Sequence, residues 1–431
     1  MSALSKFFKL DERGTSVRVE SMSGLTTFLA MAYITVVNPS ILSQAGMDFG
    51  AVFVATCIAA AFGTIVMGLY ANYPIAQAPG MAQNAFFTFW VVLGMGHNWQ
   101  TALGAVFISG VIFVGLSVLP VREWLINAIP RNLKLGMAAG IGLFLGFIAL
   151  KNAGIVVDHP ATLVGLGELT RFEPMVCIAA FVVIAALSAR KVRGAVIIGI
   201  LGAALVGWIS GNVEFNGFVA MPPSPAPVLM QLDIAAAMQW SMVTVILSML
   251  IVDVFDTAGT LVGVATRAKL LDDDGKLPRL RRALLSDSTA TIVGSVAGTS
   301  STTSFIESAA GVEAGGRTGL TAVVCGLLFL GCLFFAPLAQ SVPAYATAAA
   351  LLFVACIMAR SLADIDWSDI TESAPAVVTA VAMPLSFSIA DGIGLGFICY
   401  ILIKLISGNA RDCSVAAYVI AAIFALKYAF L

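Results

Sequence analysis

Apolar runs of membrane-span length recur along nearly the whole chain, and the polar breaks between them are too short to hold a soluble domain. A helix needs about 20 such residues to cross the hydrocarbon layer. This pattern over 431 residues therefore leaves one outcome, an all-α polytopic membrane protein with on the order of twelve to fourteen spans. Charged residues make up 11% and apolar residues 59%, against about 25% and 45–50% in soluble domains, which excludes a soluble globular fold. The runs place spans at about 24–43, 50–71, 83–95, 100–119, 132–152, 173–189, 195–210, 239–263, 283–298, 303–314, 317–340 and 344–360. Three more follow at about 374–389, 391–407 and 413–430, and Pro375 and Pro384 give the first of these a re-entrant reading.

Residues 1–22 carry Lys6, Lys9, Arg13 and Arg18 without the apolar core of a signal peptide, and read as a cytoplasmic leader. With the N-terminus inside, 18 of the 23 Lys and Arg residues fall on cytoplasmic segments, and only Lys151 and Arg171 fall clearly outside. That asymmetry is the one membrane insertion imposes. A net charge of −1 with no long basic stretch argues against nucleic acid. The seven cysteines lie in or beside apolar segments with no C-x-x-C spacing, so they read as packing residues, and no metal site or cofactor is expected. His97 and His159 fall in polar breaks between spans. Proton chemistry inside the membrane must therefore run on carboxylates.

Two segments depart from the helical pattern in the same way. Residues 74–82 (PIAQAPGMA) precede a short apolar run, and residues 298–304 (GTSSTTS) precede another that carries Glu307. Each reads as an extended strand feeding a half-helix at mid-membrane, tolerated only where irregular backbone pairs internally or lines a cavity. An offset of seven spans between them makes the two halves inverted repeats, with a substrate site between the broken segments.

An ionisable group inside a span costs at least about 2.5–3.5 kcal/mol and is a functional candidate by default. Asp253, Asp256, Thr257 and Thr260 share one helical stripe that must face protein or water. Asp256 is the stronger functional candidate, while Asp253 also reads as a solvated helix-end residue. Glu307 stands at a half-helix start, where it can accept N–H bonds from a neutral heterocycle, although Ser304 and Glu307 also fit a capping box. Asp287 reads either as a buried carboxylate or as a cytoplasmic N-cap. On the partner segment, Gln83 and Asn84 offer amides, and Phe86, Phe87 and Phe89 offer ring faces or plain packing. Gly136/Gly140 and Gly142/Gly146 have the spacing of close helix contacts.

The runs Ala78-Pro79-Gly80-Met81-Ala82-Gln83-Asn84-Ala85-Phe86-Phe87, Phe255-Asp256-Thr257-Ala258-Gly259-Thr260, Gly298-Thr299-Ser300-Ser301-Thr302-Thr303-Ser304-Phe305-Ile306-Glu307 and Gly315-Gly316-Arg317-Thr318-Gly319-Leu320-Thr321 resemble the adenine/guanine/hypoxanthine permease branch of the nucleobase:cation symporter-2 superfamily. The resemblance covers nearly the whole chain. It implies a purine:proton symporter, not an enzyme, with fourteen spans in two inverted repeats of seven. It also implies core segments at 23–120 and 236–340 and gate segments at 121–235 and 341–431, the gate serving as a homodimer surface.

By motif, the family's functional positions fall on Asn84, Asp256, Asp287 and Glu307. The expected substrate contacts are Glu307, Asp256, Asn84, Gln83, Phe86, Thr303 and Ser304, and the expected proton-coupling groups are Asp256, Asp287 and Glu307. Ala82-Gln83 stands where the family usually has Gly-Leu before the asparagine, and Gln83 leaves the preferred purine open, as the coupling ion is between H⁺ and Na⁺. The expected location is the plasma (inner) membrane. The competing reading is an anion transporter or exchanger of the same fold, with the half-helix N-termini holding the anion. A carboxylate at Glu307 weighs against it. A passive channel fits less well, and the motifs of an intramembrane protease do not occur.

Overall fold

A computed structural model describes residues 3–118, 130–270 and 277–430. Arg122, Lys276 and the boundary expected at residues 120/121 lie outside the described residues. Among those described, nine helices are long and apolar enough to cross a membrane, and the chain is a multi-pass integral membrane protein. The first half runs through α1 (Val17–Ala45), α2 (Phe49–Ala71), β1 (Gln77–Pro79), α3 (Met81–Ala85, continued by a wider π-helical stretch Phe86–Val92) and α4 (Trp99–Val118). It continues with α5 (Arg131–Asn152), the surface hairpin β2 (Val156–His159) and β3 (Leu163–Leu166), α6 (Phe172–Ala189) and α7 (Ala195–Ile209). The second half gives α8 (Val243–Arg267), α9 (Leu280–Ala297), β4 (Thr302–Ser304), α10 (Ser308–Glu313) and α11 (Gly319–Cys332). It ends with α12 (Ala344–Ala359), α13 (Ile370–Ser386), α14 (Ile389–Ile406) and α15 (Val415–Phe430).

Helix α1 starts at Val17, capped by Ser16, and so takes in residues that the sequence assigns to the leader. The reason is Glu20, whose fully buried carboxylate accepts from the N–H groups of Arg317 (2.9 Å) and Thr318 (3.2 Å) and from the Thr321 hydroxyl (2.6 Å). It thereby fills donors left open at the start of α11. The helix break expected at Pro375 and Pro384 does not occur. Pro375 and Pro384 lie inside the single helix α13, which ends at Phe387 in the left-handed region (φ 57°) before Ser388 caps α14.

Two packing groups form. Helices α9 and α11 pack on α2, with α4 against α9 and α1 against α11; separately, α5 packs on α12 and α13, and α6 on α7 and α12. Both glycine pairs of α5 sit in the second group. A Cβ at Gly140 would lie 2.6 Å from the Met383 sulfur, and one at Gly142 would lie 2.7 Å from Met358 Cβ and 3.0 Å from the Ala355 carbonyl. The outer faces expose apolar residues such as Val182, Ile198 and Leu402, as lipid contact requires. Overpacking such a contact costs about 1–3 kcal/mol, so Gly142→Ala lowers the thermal unfolding midpoint in detergent. Gly202→Ala, where a Cβ meets nothing within 4 Å, leaves it unchanged. Equal midpoints for the two variants would remove the close-packing role.

Candidate functional site

At the centre of the first packing group, β1 and β4 pair antiparallel, with Gln77 opposite Ser304, Ala78 opposite Thr303 and Pro79 opposite Thr302. The N–H of Gly80 donates to the Ser301 carbonyl and that of Phe305 to the Ala76 carbonyl, both at 2.9 Å, extending the ladder at each end. All six paired residues are buried, where an unmatched backbone group costs several kcal/mol. Flanking helices complete the ladder. The Thr64 hydroxyl accepts from the Gln77 N–H (2.8 Å) and donates to its carbonyl (2.9 Å), while the Thr291 hydroxyl donates to the Thr302 carbonyl (2.9 Å). Gly63 and Gly294 let the strands sit this close. A Cβ at either would stand 2.7 Å from a strand side-chain oxygen, Gln77 Oε1 or Thr302 Oγ1.

Beneath the strands lies a buried polar network. Asp287 Oδ1 accepts from the Gln77 amide (2.9 Å) and the Ser304 hydroxyl (2.8 Å), and Oδ2 accepts from the Thr257 hydroxyl (2.7 Å). Thr257 in turn lies 2.8 Å from the Thr303 hydroxyl. The N-cap reading of Asp287 is therefore corrected: it stands inside α9, and its carboxylate ties α8, α9 and both strands together. The solvated reading of Asp253 is corrected as well. This residue is 1% exposed in mid-α8, with Oδ2 held by Thr291 at 3.2 Å and Oδ1 without a donor. The capping-box reading also fails, because Ser304 is a strand residue committed to Asp287, and Glu307 itself occupies the cap position of α10.

A cavity of about 520 Å³ opens beside this network, at the end of the molecule carrying Lys191, Arg193 and Arg267, and its lining includes Glu307 and Tyr33. Glu307 is half-buried there, and the Tyr33 hydroxyl donates to its Oε1 at 2.5 Å. Asp256, also half-buried, is an electrostatic neighbour of Glu307 and of the Gln83 amide. That amide stands outside hydrogen-bond geometry with Asp256, and both its oxygen and its nitrogen are buried without a partner. Asn84 accepts from the Ser300 hydroxyl through Oδ1 and leaves Nδ2 unpaired. Asn38 donates to Thr56 (2.6 Å) and Thr299 (2.8 Å) and leaves its oxygen unpaired.

Of the seven expected substrate contacts, Glu307 alone lines this cavity. Asp256 and Gln83 cluster next to it, and Asn84 stands one residue further along α3. Thr303 and Ser304 are committed to Thr257 and Asp287, and Phe86 is 3% exposed in the π-helical stretch. Tyr33 and Gln77 escaped the sequence reading. Gln77 lies within a segment already marked as irregular, whereas a single tyrosine in an apolar run gives no signal.

A profile described as Permease family matches residues 18–395. The adenine permease AdeP of Escherichia coli is 49% identical, with 99% of this chain and 96% of that protein covered. The guanine/hypoxanthine permease PbuG of Bacillus subtilis is 46% identical, with 99% and 100% covered. Among solved structures, the transmembrane domain of the cyanobacterial bicarbonate transporter BicA superposes with a TM-score of 0.65 at 14% identity, covering 86% of this chain and 96% of that one. SLC26A9 gives 0.63 at 12% identity, covering 91% and 66%. These two share the inverted-repeat fold. By sequence, the chain belongs to the Permease family, in the branch of the adenine and guanine/hypoxanthine permeases.

Proposed function

We propose that the protein imports purine nucleobases by proton symport through alternating access. Nucleobase transport follows from the family; the choice of purine and proton rests on the site. The observation that carries the reading is Glu307, a carboxylate at the start of half-helix α10 that faces the cavity beside Asp256 and the unpartnered Gln83 amide. A neutral purine presents N–H donors to a carboxylate and ring acceptors to an amide, and can satisfy both at once. The solved relatives by fold are described as bicarbonate and anion transporters. An inorganic anion at this place would meet two carboxylates, so the anion reading is disfavoured.

In this reading the first packing group (spans 1–4 and 8–11 of fourteen) is the core and the second is the gate, which is also the homodimer surface. No cofactor takes part. The basic end, with the N-terminus, faces the cytoplasm of a plasma (inner) membrane, and the cavity opens inward. Asp287, held by three donors, is the least mobile of the carboxylates, which makes Asp256 and Glu307 the better proton carriers. One proton moving down 100 mV releases about 2.3 kcal/mol, enough for roughly fiftyfold accumulation.

Glu307→Gln keeps the shape but sets a donor against a purine N–H, and losing a hydrogen bond to a charged group costs about 1.5–3 kcal/mol. Purine affinity of the purified variant therefore falls ten- to hundredfold, and unchanged affinity rules out the contact. Asp256→Asn abolishes concentrative uptake in cells, with purine binding retained where the residue serves coupling alone. If uptake by that variant still collapses on adding an uncoupler, as in the wild type, the proton route lies elsewhere. Asn84→Ala and Gln83→Leu change the ratio of inhibition constants for adenine, hypoxanthine and guanine, because a base correctly paired with an amide loses more than its competitor. An equal loss for all three bases would assign these residues to pocket shape only.

A further inference from the structure

Helix α1 is not continuous at Tyr33. Around Ala32–Tyr33 it tightens, with N–H bonds from Thr35 to Ala32 and from Val36 to Tyr33, both at 3.1 Å. The tightened turn separates the stretch that packs on α10 from the stretch that carries Asn38. Half-helix α10 is seated on α1 through Gly311, where a Cβ would collide with the Thr27 hydroxyl and stand 2.8 Å from the Ser23 carbonyl. This close seating brings Tyr33, 1% exposed, to Glu307, and the phenol donates to Oε1. Glu307 is half-buried at the cavity wall, and the phenol, by holding Oε1, fixes which way the carboxylate faces.

We infer that Tyr33 is a positioning residue for purine recognition: by occupying Oε1 it holds the Glu307 carboxylate so that Oε2 is presented to the substrate. This rests on the reading that Glu307 contacts the purine. The physical effect is preorganisation. A free glutamate must lose side-chain freedom when substrate binds, at roughly 0.5–1.5 kcal/mol per immobilised side chain, whereas the tethered one has already lost it. Removing the tether therefore weakens binding by about three- to tenfold, less than removing the carboxylate itself. Once substrate is bound the geometry is restored, so the maximal transport rate changes little.

The test is a double-mutant cycle on the full-length protein, with radiolabelled adenine and hypoxanthine as probes for binding in detergent and for uptake kinetics in cells. Tyr33→Phe, which removes one oxygen, raises Kd and KM about three- to tenfold with Vmax retained and the unfolding midpoint near that of the wild type. Because Tyr33 acts through Glu307, adding Tyr33→Phe to Glu307→Gln produces less than a twofold further loss, since coupled residues do not add. Wild-type affinity in Tyr33→Phe, or losses that multiply in the double variant, would overturn the inference while leaving Glu307 in place. Wild-type affinity in Glu307→Gln overturns the site reading and this inference with it. If Tyr33→Phe does not fold, Tyr33→His, which keeps a ring donor, decides: affinity within threefold of wild type supports the tether, and a loss as large as that of Glu307→Gln overturns it.

Discussion

Inside a bilayer no water is available to a broken helix, so every backbone N–H and C=O released at a break must find a protein partner. This chain breaks two helices at once and lets the breaks satisfy each other. The ladder of Gln77–Pro79 with Thr302–Ser304 is short, and its own hydrogen bonds leave strand groups that Thr64 and Thr291 complete from the flanking helices. Much else follows from that crossing. The strands run antiparallel, so α3 and α10 leave it in opposite directions, and the N-terminus of each half-helix lies near the middle of the protein.

The same requirement sorts the carboxylates by role. Asp287 is surrounded by donors from α8, β1 and β4, an arrangement that fixes the strands against α8 and α9 and leaves its oxygens little capacity for another partner. Glu307 and Asp256 are different. They stand half-buried at the end of the network, and Glu307, with one oxygen held by Tyr33, keeps acceptor capacity on the side of the cavity. The polar network is thus saturated around Asp287 and keeps open acceptors at Glu307.

The small residues act in the same direction. Gly63 and Gly294 admit the strands, Gly311 admits α10 onto α1, and Gly140 and Gly142 draw α5 against α13 and α12. Lipid supplies no hydrophobic drive between helices, so close approach of backbones takes over that part, and each of these positions sits where a side chain would hold the elements apart.

The sequence by itself determined the membrane class, where most of the helices up to residue 360 fall, the two irregular segments and the short list of intramembrane carboxylates. Each of these follows from a one-dimensional property: apolar run length, proline and glycine placement, or the cost of a charge in lipid. It could not determine which carboxylate is consumed by structure. Asp253, Asp256 and Asp287 look alike in the chain, and the difference lies in how many donors arrive from other elements, 17 to 210 residues away. Nor could it mark Glu20, which sits in a charged leader by composition yet closes α11 from almost 300 residues away. The two prolines of α13 misled for the opposite reason, since a helix packed on α5 and α14 tolerates breaks that would end an isolated one. Tyr33 depended on tertiary structure altogether: its role rests on a contact with Glu307 across 274 residues, which no local pattern encodes because only the docking of α10 on α1 brings the two groups together.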